Sequence, residues 1–184
     1  MTPTAAAGRA AASPGPSAPS DASSLVRLEV KSIGRTFNRR PIFREVDLEV
    51  RRGEVLIITG PNGVGKSTLL KLLAGLLRPS TGSVTLWRGD RPMTEDQRRA
   101  ATGYLAPDLH PYVELSATEN LDLMGRIRGL SRAEIRAAER LADVGLEPGR
   151  LEPIGAFSTG QRQRLKLALA LLGDPEFLLL DEPG

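Results

Sequence analysis

Eight residues constrain this chain more than any other stretch: Gly60-Pro61-Asn62-Gly63-Val64-Gly65-Lys66-Ser67, followed by Thr68. Glycines at that density let the backbone curl, so that successive N–H groups can turn inward on one anion. A helix starting at the end of such a loop adds the positive end of its dipole. The spacing is that of the phosphate-binding loop GxxxxGK[ST], in which the lysine reaches the β- and γ-phosphates and the hydroxyl ligates Mg²⁺. Those roles fall to Lys66 and Ser67. The flanks agree with the loop. The apolar run in Glu54-Val55-Leu56-Ile57-Ile58-Thr59 predicts a central strand at 55–59, covered on both faces. Lys66 to Leu77 has helical spacing, with a stop at Arg78-Pro79-Ser80-Thr81-Gly82.

Composition removes the competing chemistries. The 184 residues include no Cys, which excludes disulfides, thiolate metal sites and a cysteine nucleophile. His110 is the single histidine, so a Ser-His-Asp triad or a histidine metal cluster has little to build on; a surface-loop role is the plain expectation for it. Net charge is only +3, which argues against a dedicated nucleic-acid surface. No apolar run is long enough to span a membrane, so direct membrane insertion is not expected. Ala, Pro, Ser and Gly fill 19 of positions 1–24, too little apolar surface to offset ordering entropy, and this stretch is expected to be a disordered tail.

Beyond the tail, alternation predicts strands at 26–30, 46–50 and 83–87, with a short buried one at 102–105. Ser116-Ala117-Thr118-Glu119 and Ser131-Arg132-Ala133-Glu134 are capping-box signatures, opening helices to about Arg128 and Val144. Ser158 stands where a last helix begins, running to Leu172, and Phe177-Leu178-Leu179-Leu180 is a final apolar strand. Asp181 and Glu182 close that strand. A carboxylate at the C-terminal edge of a buried strand can hold Mg²⁺ through its water shell, and a second can polarise an attacking water. Early strands, a helical middle and a late buried strand point to an α/β core with a helical insertion.

Phe157-Ser158-Thr159-Gly160-Gln161 decides which kind of phosphate-loop protein this resembles. Between the phosphate loop and Leu178-Leu179-Leu180-Asp181-Glu182-Pro183, it is similar to the signature sequence of ATP-binding-cassette (ABC) ATPases, and the resemblance runs from about Leu25 to the end. Glu114-Leu115-Ser116-Ala117-Thr118-Glu119-Asn120-Leu121 is similar to the start of that family's helical subdomain. The resemblance implies a mostly parallel core sheet, an antiparallel N-terminal β subdomain and a helical subdomain at about 91–151, within one nucleotide-binding domain over 25–184. It implies ATP and Mg²⁺ as ligands, with 60–68 around the phosphates and Phe37 stacked on adenine. Lys66 and Glu182 would be the catalytic pair, with Ser67 and Asp181 on the metal side. The signature residues would face the ATP of an opposite subunit, so that two subunits sandwich the nucleotides. A separate transmembrane permease would be the second partner, and the subunit would lie on the cytoplasmic face of the membrane. Ser158 also reads as an ordinary N-cap, and both roles can hold together.

The chain departs from the family pattern in three places. No glutamine follows Tyr104-Leu105; Ala106-Pro107-Asp108 stands there, and Asp108 is the candidate for water-mediated contact with Mg²⁺. Thr159 replaces the usual glycine and Phe157 the usual leucine. The glutamine-less loop also resembles the haem-exporter ATPases of cytochrome c maturation. The family's dimer loop and switch histidine lie after the acidic pair, so the resemblance implies a core incomplete at one sheet edge within these 184 residues. Other classes stay open from sequence: a soluble ABC ATPase acting on ribosomes or DNA, a phosphate-loop kinase, and a nucleotide-binding module without turnover.

Overall fold

A computed structural model of the chain describes residues 26–182, so the tail expected at 1–24 lies outside the described residues. The described residues form two compact units, dividing between Arg98 and Arg99.

The first unit is built on an antiparallel sheet in the order β2-β1-β3-β4, with β1 Val26–Phe37, β2 Arg40–Arg51, β3 Thr81–Arg88 and β4 Arg91–Pro92. Alternation puts Val26, Leu28 and Val30 on the buried face, and Leu28 faces Val50 on one side and Leu86 on the other. Burying each such leucine contributes about 1.5–3 kcal/mol. β1 runs well past the expected 26–30 because a bulge re-phases it. Ser32 takes φ 46° and donates its N–H to Asp47 Oδ1 at 2.7 Å, which returns Ile33 to the buried face. Asn38 and Arg39, at φ 47° and 61°, make the two-residue turn into β2.

Helix α1 (Lys66–Leu73) buries Leu69, Leu70, Leu72 and Leu73. It stops earlier than the expected Leu77. Gly75 at φ 75° closes it, with Gly75 N–H donating to Leu72 O and Leu76 N–H to Lys71 O, a Schellman cap that satisfies the terminal carbonyls. The apolar run before the phosphate loop also differs from expectation. Residues 54–60 carry no strand ladder, and Val55 and Ile57 are 71% and 53% exposed. A run apolar on both faces needs a parallel sheet covered on both sides, and the antiparallel sheet of its own unit has no such slot.

Helix α2 (Glu95–Ala100) leads into the second unit. There β5 (Thr102–Leu105) and β6 (Phe177–Leu180) pair in parallel, Tyr104 opposite Leu179. Parallel neighbours need a long crossover. Here it comprises α3 (Ala117–Ile127), α4 (Arg132–Ile135), α5 (Ala137–Asp143), a 3₁₀ turn (Ile154–Ala156) and α6 (Thr159–Ala170). Their apolar faces meet in a core that includes Leu121, Ile135, Leu141, Ile154, Leu165 and Leu172. Both predicted capping boxes form: Ser116 N–H and Ser131 N–H each donate to the glutamate three residues on, at 2.8 Å. The Ser116 N–H and then its hydroxyl hold the Glu119 carboxyl below its usual range, and the Ser131 hydroxyl and then its N–H do the same for Glu134.

The helix expected from Ser131 to Val144 is broken at Arg136, which takes φ 44°. On a continuous helix Ile135 and Leu141 would point about 120° apart. The break lets both enter the core, where they are 1% and 0% exposed. Arg136 and Arg140 then share Asp174, tying this joint to the turn before β6.

Candidate functional site

The phosphate loop has the backbone its sequence demands. Gly60, Gly63 and Gly65 take φ 153°, 79° and 105°, and Gly65 is the N-cap of α1, so the loop feeds straight into a helix N-terminus. Lys66 curls back over the loop, its Nζ donating to Gly60 O and Pro61 O, both at 2.9 Å. That holds the ammonium at the loop mouth, where phosphate oxygens could exchange for the two carbonyls. Pro61, Asn62 and Gly63 are exposed, while Val64, Ser67 and Thr68 are half-buried as the helix begins. Sequence reasoning missed what supports the loop: Ile42 and Phe43 of β2 pack on Gly65 so closely that a Cβ there would lie 2.6 Å from Ile42 Cγ2. The same hairpin carries Phe37 at its tip, paired with Arg40 and 63% exposed, an aromatic face open to a planar ligand.

The acidic pair lies in the second unit. Asp181 is 3% exposed and extends the parallel ladder, its N–H donating to Leu105 O at 3.0 Å. Tyr104 Oη donates to Asp181 Oδ2 at 3.2 Å. Burial first, then the Asp181 charge and hydrogen bond, with a smaller push from Asp108, raise the Tyr104 phenol well above its ordinary value. It therefore remains a proton donor at neutral pH. Glu182, exposed, turns out of the strand at φ 50°. Asp108 is exposed on the loop after β5, where its charge is felt at Tyr104. That loop is fastened to α6 by Lys166, whose Nζ donates to Pro107 O at 3.0 Å.

The signature segment divides into an anchor and an exposed edge. Phe157 is buried in the helical core. Ser158 caps α6: its Oγ accepts Gln161 N–H at 3.2 Å, and its N–H donates to Gln161 Oε1 at 2.8 Å. Ser158 is thus an N-cap with Gln161 as its capping-box partner, a role for the glutamine that sequence reasoning did not assign. Thr159 and Gly160 are exposed on the first turn. Backbone bonds from Ile154 N–H to Leu115 O and Gly155 N–H to Val113 O, both 2.9 Å, fix the approach to this cap. Asn120, fully buried, holds the same loop through Tyr112, Leu115 and Ser116. A cleft of about 270 Å³ opens beside it, lined among others by His110, Val113, Thr159, Arg162 and Lys166. His110 is exposed there.

Lys166 and Tyr104 were not legible as site residues. Their signal is a contact across 59 or 77 residues of chain, set by the parallel register, which no local pattern carries. Among the described residues no three His, Asp or Glu side chains gather into a metal cage. The Ser67 hydroxyl in the first unit and the Asp181 carboxylate in the second are each hard oxygens of the kind Mg²⁺ takes.

A family profile described as ABC transporter matches residues 43–184. The chain is 40% identical over 165 residues to the taurine import ATP-binding protein TauB of Pseudomonas aeruginosa, covering 86% of this chain and 61% of that protein. It is 37% identical over 158 residues to the uncharacterized ABC transporter ATP-binding protein YxlF of Bacillus subtilis, covering 85% and 52%. The chain thus spans about half to three-fifths of the length of these relatives. Among solved structures, it superposes with TM-score 0.69 on the dimeric ATP-binding cassette MJ0796 bound to ADP and Pi, at 26% identity over 85% of this chain and 74% of that one. An ABC transporter ATP-binding protein of Pyrococcus furiosus gives the same TM-score at 25% identity, over 85% and 76%. A profile match over most of the chain, on top of a phosphate loop with its lysine in place, means that the chain belongs to the ABC transporter family.

Proposed function

We propose that residues 25–184 act as one nucleotide-binding domain that binds Mg-ATP and hydrolyses it to ADP and phosphate. ATP would draw two such domains together, and their cycle would power a separate transmembrane protein. The observation that carries this reading is Lys66 held at the mouth of a glycine-shaped loop on the N-terminus of α1. That the family match runs through 98 and 99 supports one domain rather than two.

The catalytic work is electrostatic. Backbone N–H groups of 60–65, the Lys66 ammonium and the first turn of α1, including Ser67 and Thr68, bind and orient the phosphates. Phe37 stacks on the base; such stacking contributes about 1–3 kcal/mol. Ser67 and Asp181, the latter through water, would hold Mg²⁺, with Asp108 as a further candidate on the loop that lacks glutamine. Mg²⁺ when bound would neutralise charge building between the β- and γ-phosphates. Glu182 orients and polarises the attacking water. Ser158, Thr159 and Gly160, on the exposed first turn of α6, face the γ-phosphate held by the opposite subunit, with Phe157 as their anchor and Gln161 as the capping partner.

The segment at about 91–151 is the helical subdomain, which meets the permease. The subunit would lie at the cytoplasmic face of the membrane; among the described residues no helix is long and apolar enough to cross it. With Glu182→Gln in the full-length protein, Mg-ATP binding should stay within about twofold of wild type while phosphate release falls by roughly 100-fold or more, the scale of losing a general base. Steady phosphate release from that variant would remove Glu182 from the mechanism.

A further inference from the structure

We propose that Tyr104 is a positioning residue: its hydroxyl fixes the rotation of the Asp181 carboxylate and so sets how well the chain's nucleotide site takes Mg²⁺. The inference rests on the metal-side role proposed for Asp181.

The geometry follows from the parallel pairing. Tyr104 stands opposite Leu179, and the ladder continues through Leu105 O to Asp181 N–H at 3.0 Å. That register brings the phenol level with a carboxylate two residues beyond its own partner, and Oη donates to Oδ2 at 3.2 Å. Asp181 is buried, and a buried carboxylate is costly unless its oxygens are hydrogen-bonded. A carboxylate also turns easily about its last torsion, which has broad, roughly two-fold wells. A donor on Oδ2 favours one rotation and so biases the direction in which Oδ1 faces. The bond is long for O–H···O, whose usual distance is about 2.7–2.8 Å. A bond of that length adds little to the stability of the fold. Groups placed behind a direct metal ligand typically change metal affinity by about 10–100-fold when lost, and the lower end of that range applies behind a carboxylate that reaches the metal through water.

Tyr104→Phe removes the hydroxyl and keeps the ring in its half-buried place. The full-length protein would be titrated with ATP by calorimetry across a series of Mg²⁺ concentrations and in EDTA. Tyr104→Phe should raise the half-saturating Mg²⁺ concentration by about 10-fold. Metal-free ATP binding and the unfolding midpoint should match wild type. In an Asp181→Ala background, where no oxygen is left to orient, the same substitution should change Mg²⁺ dependence no further. An unchanged Mg²⁺ half-saturation in the single variant overturns the proposal. So do additive losses in the double variant, whether or not Tyr104→Phe lowers stability. Wild-type protein that binds ATP with no dependence on Mg²⁺ overturns this inference and leaves nucleotide binding standing; wild-type protein that binds no ATP at all overturns both.

Discussion

The phosphate loop and the acidic strand end are shaped by opposite routes. At 60–67 the site is made of main chain: three glycines at positive φ, a helix N-terminus and a lysine folded onto carbonyls five and six residues away. At Asp181 it is made of side chains held by distant sequence, with Tyr104 77 residues away and Lys166 steadying the Pro107 carbonyl from α6. A site of the first kind tolerates change in its surroundings but not in its backbone. A site of the second kind keeps its backbone under many substitutions and loses its aim through a single hydroxyl.

Two glycine substitutions sharpen that contrast. Gly65→Ala forces a Cβ onto a residue at φ 105°, with Ile42 Cγ2 only 2.6 Å away. It should cost about 1–3 kcal/mol of stability by denaturant titration and abolish ATP binding with it; a variant as stable as wild type that binds ATP would break the claim that backbone makes this site. Gly160→Ala is the opposite case. Apart from its chain neighbours and its own helix backbone, no atom lies within 4 Å of the new Cβ, and the position is in the first turn of α6. Alanine there should leave stability unchanged or raise it by up to about 1 kcal/mol, while ATP-driven dimerisation in the full-length protein weakens. Loss of stability would recast Gly160 as a packing residue, and undiminished dimerisation would remove it from the subunit contact.

The same distinction governs how much was legible in the sequence. Motifs whose physics is local came through: the loop, the Ser116 and Ser131 capping boxes, the Ser158 cap and the hairpin alternation of Leu28 with Val30. What failed was anything whose cause lies elsewhere in the chain. The helix from Ser131 gave no local warning of a break at Arg136, because the break serves to turn both Ile135 and Leu141 into one core. The apolar run at 55–58 has the composition of a central strand, yet a strand needs a neighbour of the right sense, and its unit offers only antiparallel edges. Gly75 is a different lesson. Its cap was readable, but Pro79 and Gly82 competed for the same role and lay where the apolar pattern ended.

Lys66 carries the most weight at the main-chain site, because its ammonium is held at the loop mouth by two of the loop's own carbonyls. The direct measurement is calorimetric titration of Mg-ATP into the full-length protein and its Lys66→Ala variant. Lost charge-assisted hydrogen bonds contribute about 1.5–3 kcal/mol each, so the variant should bind roughly 100-fold more weakly or not measurably. Equal affinity in the two proteins would contradict the assignment of 60–68 as the nucleotide site.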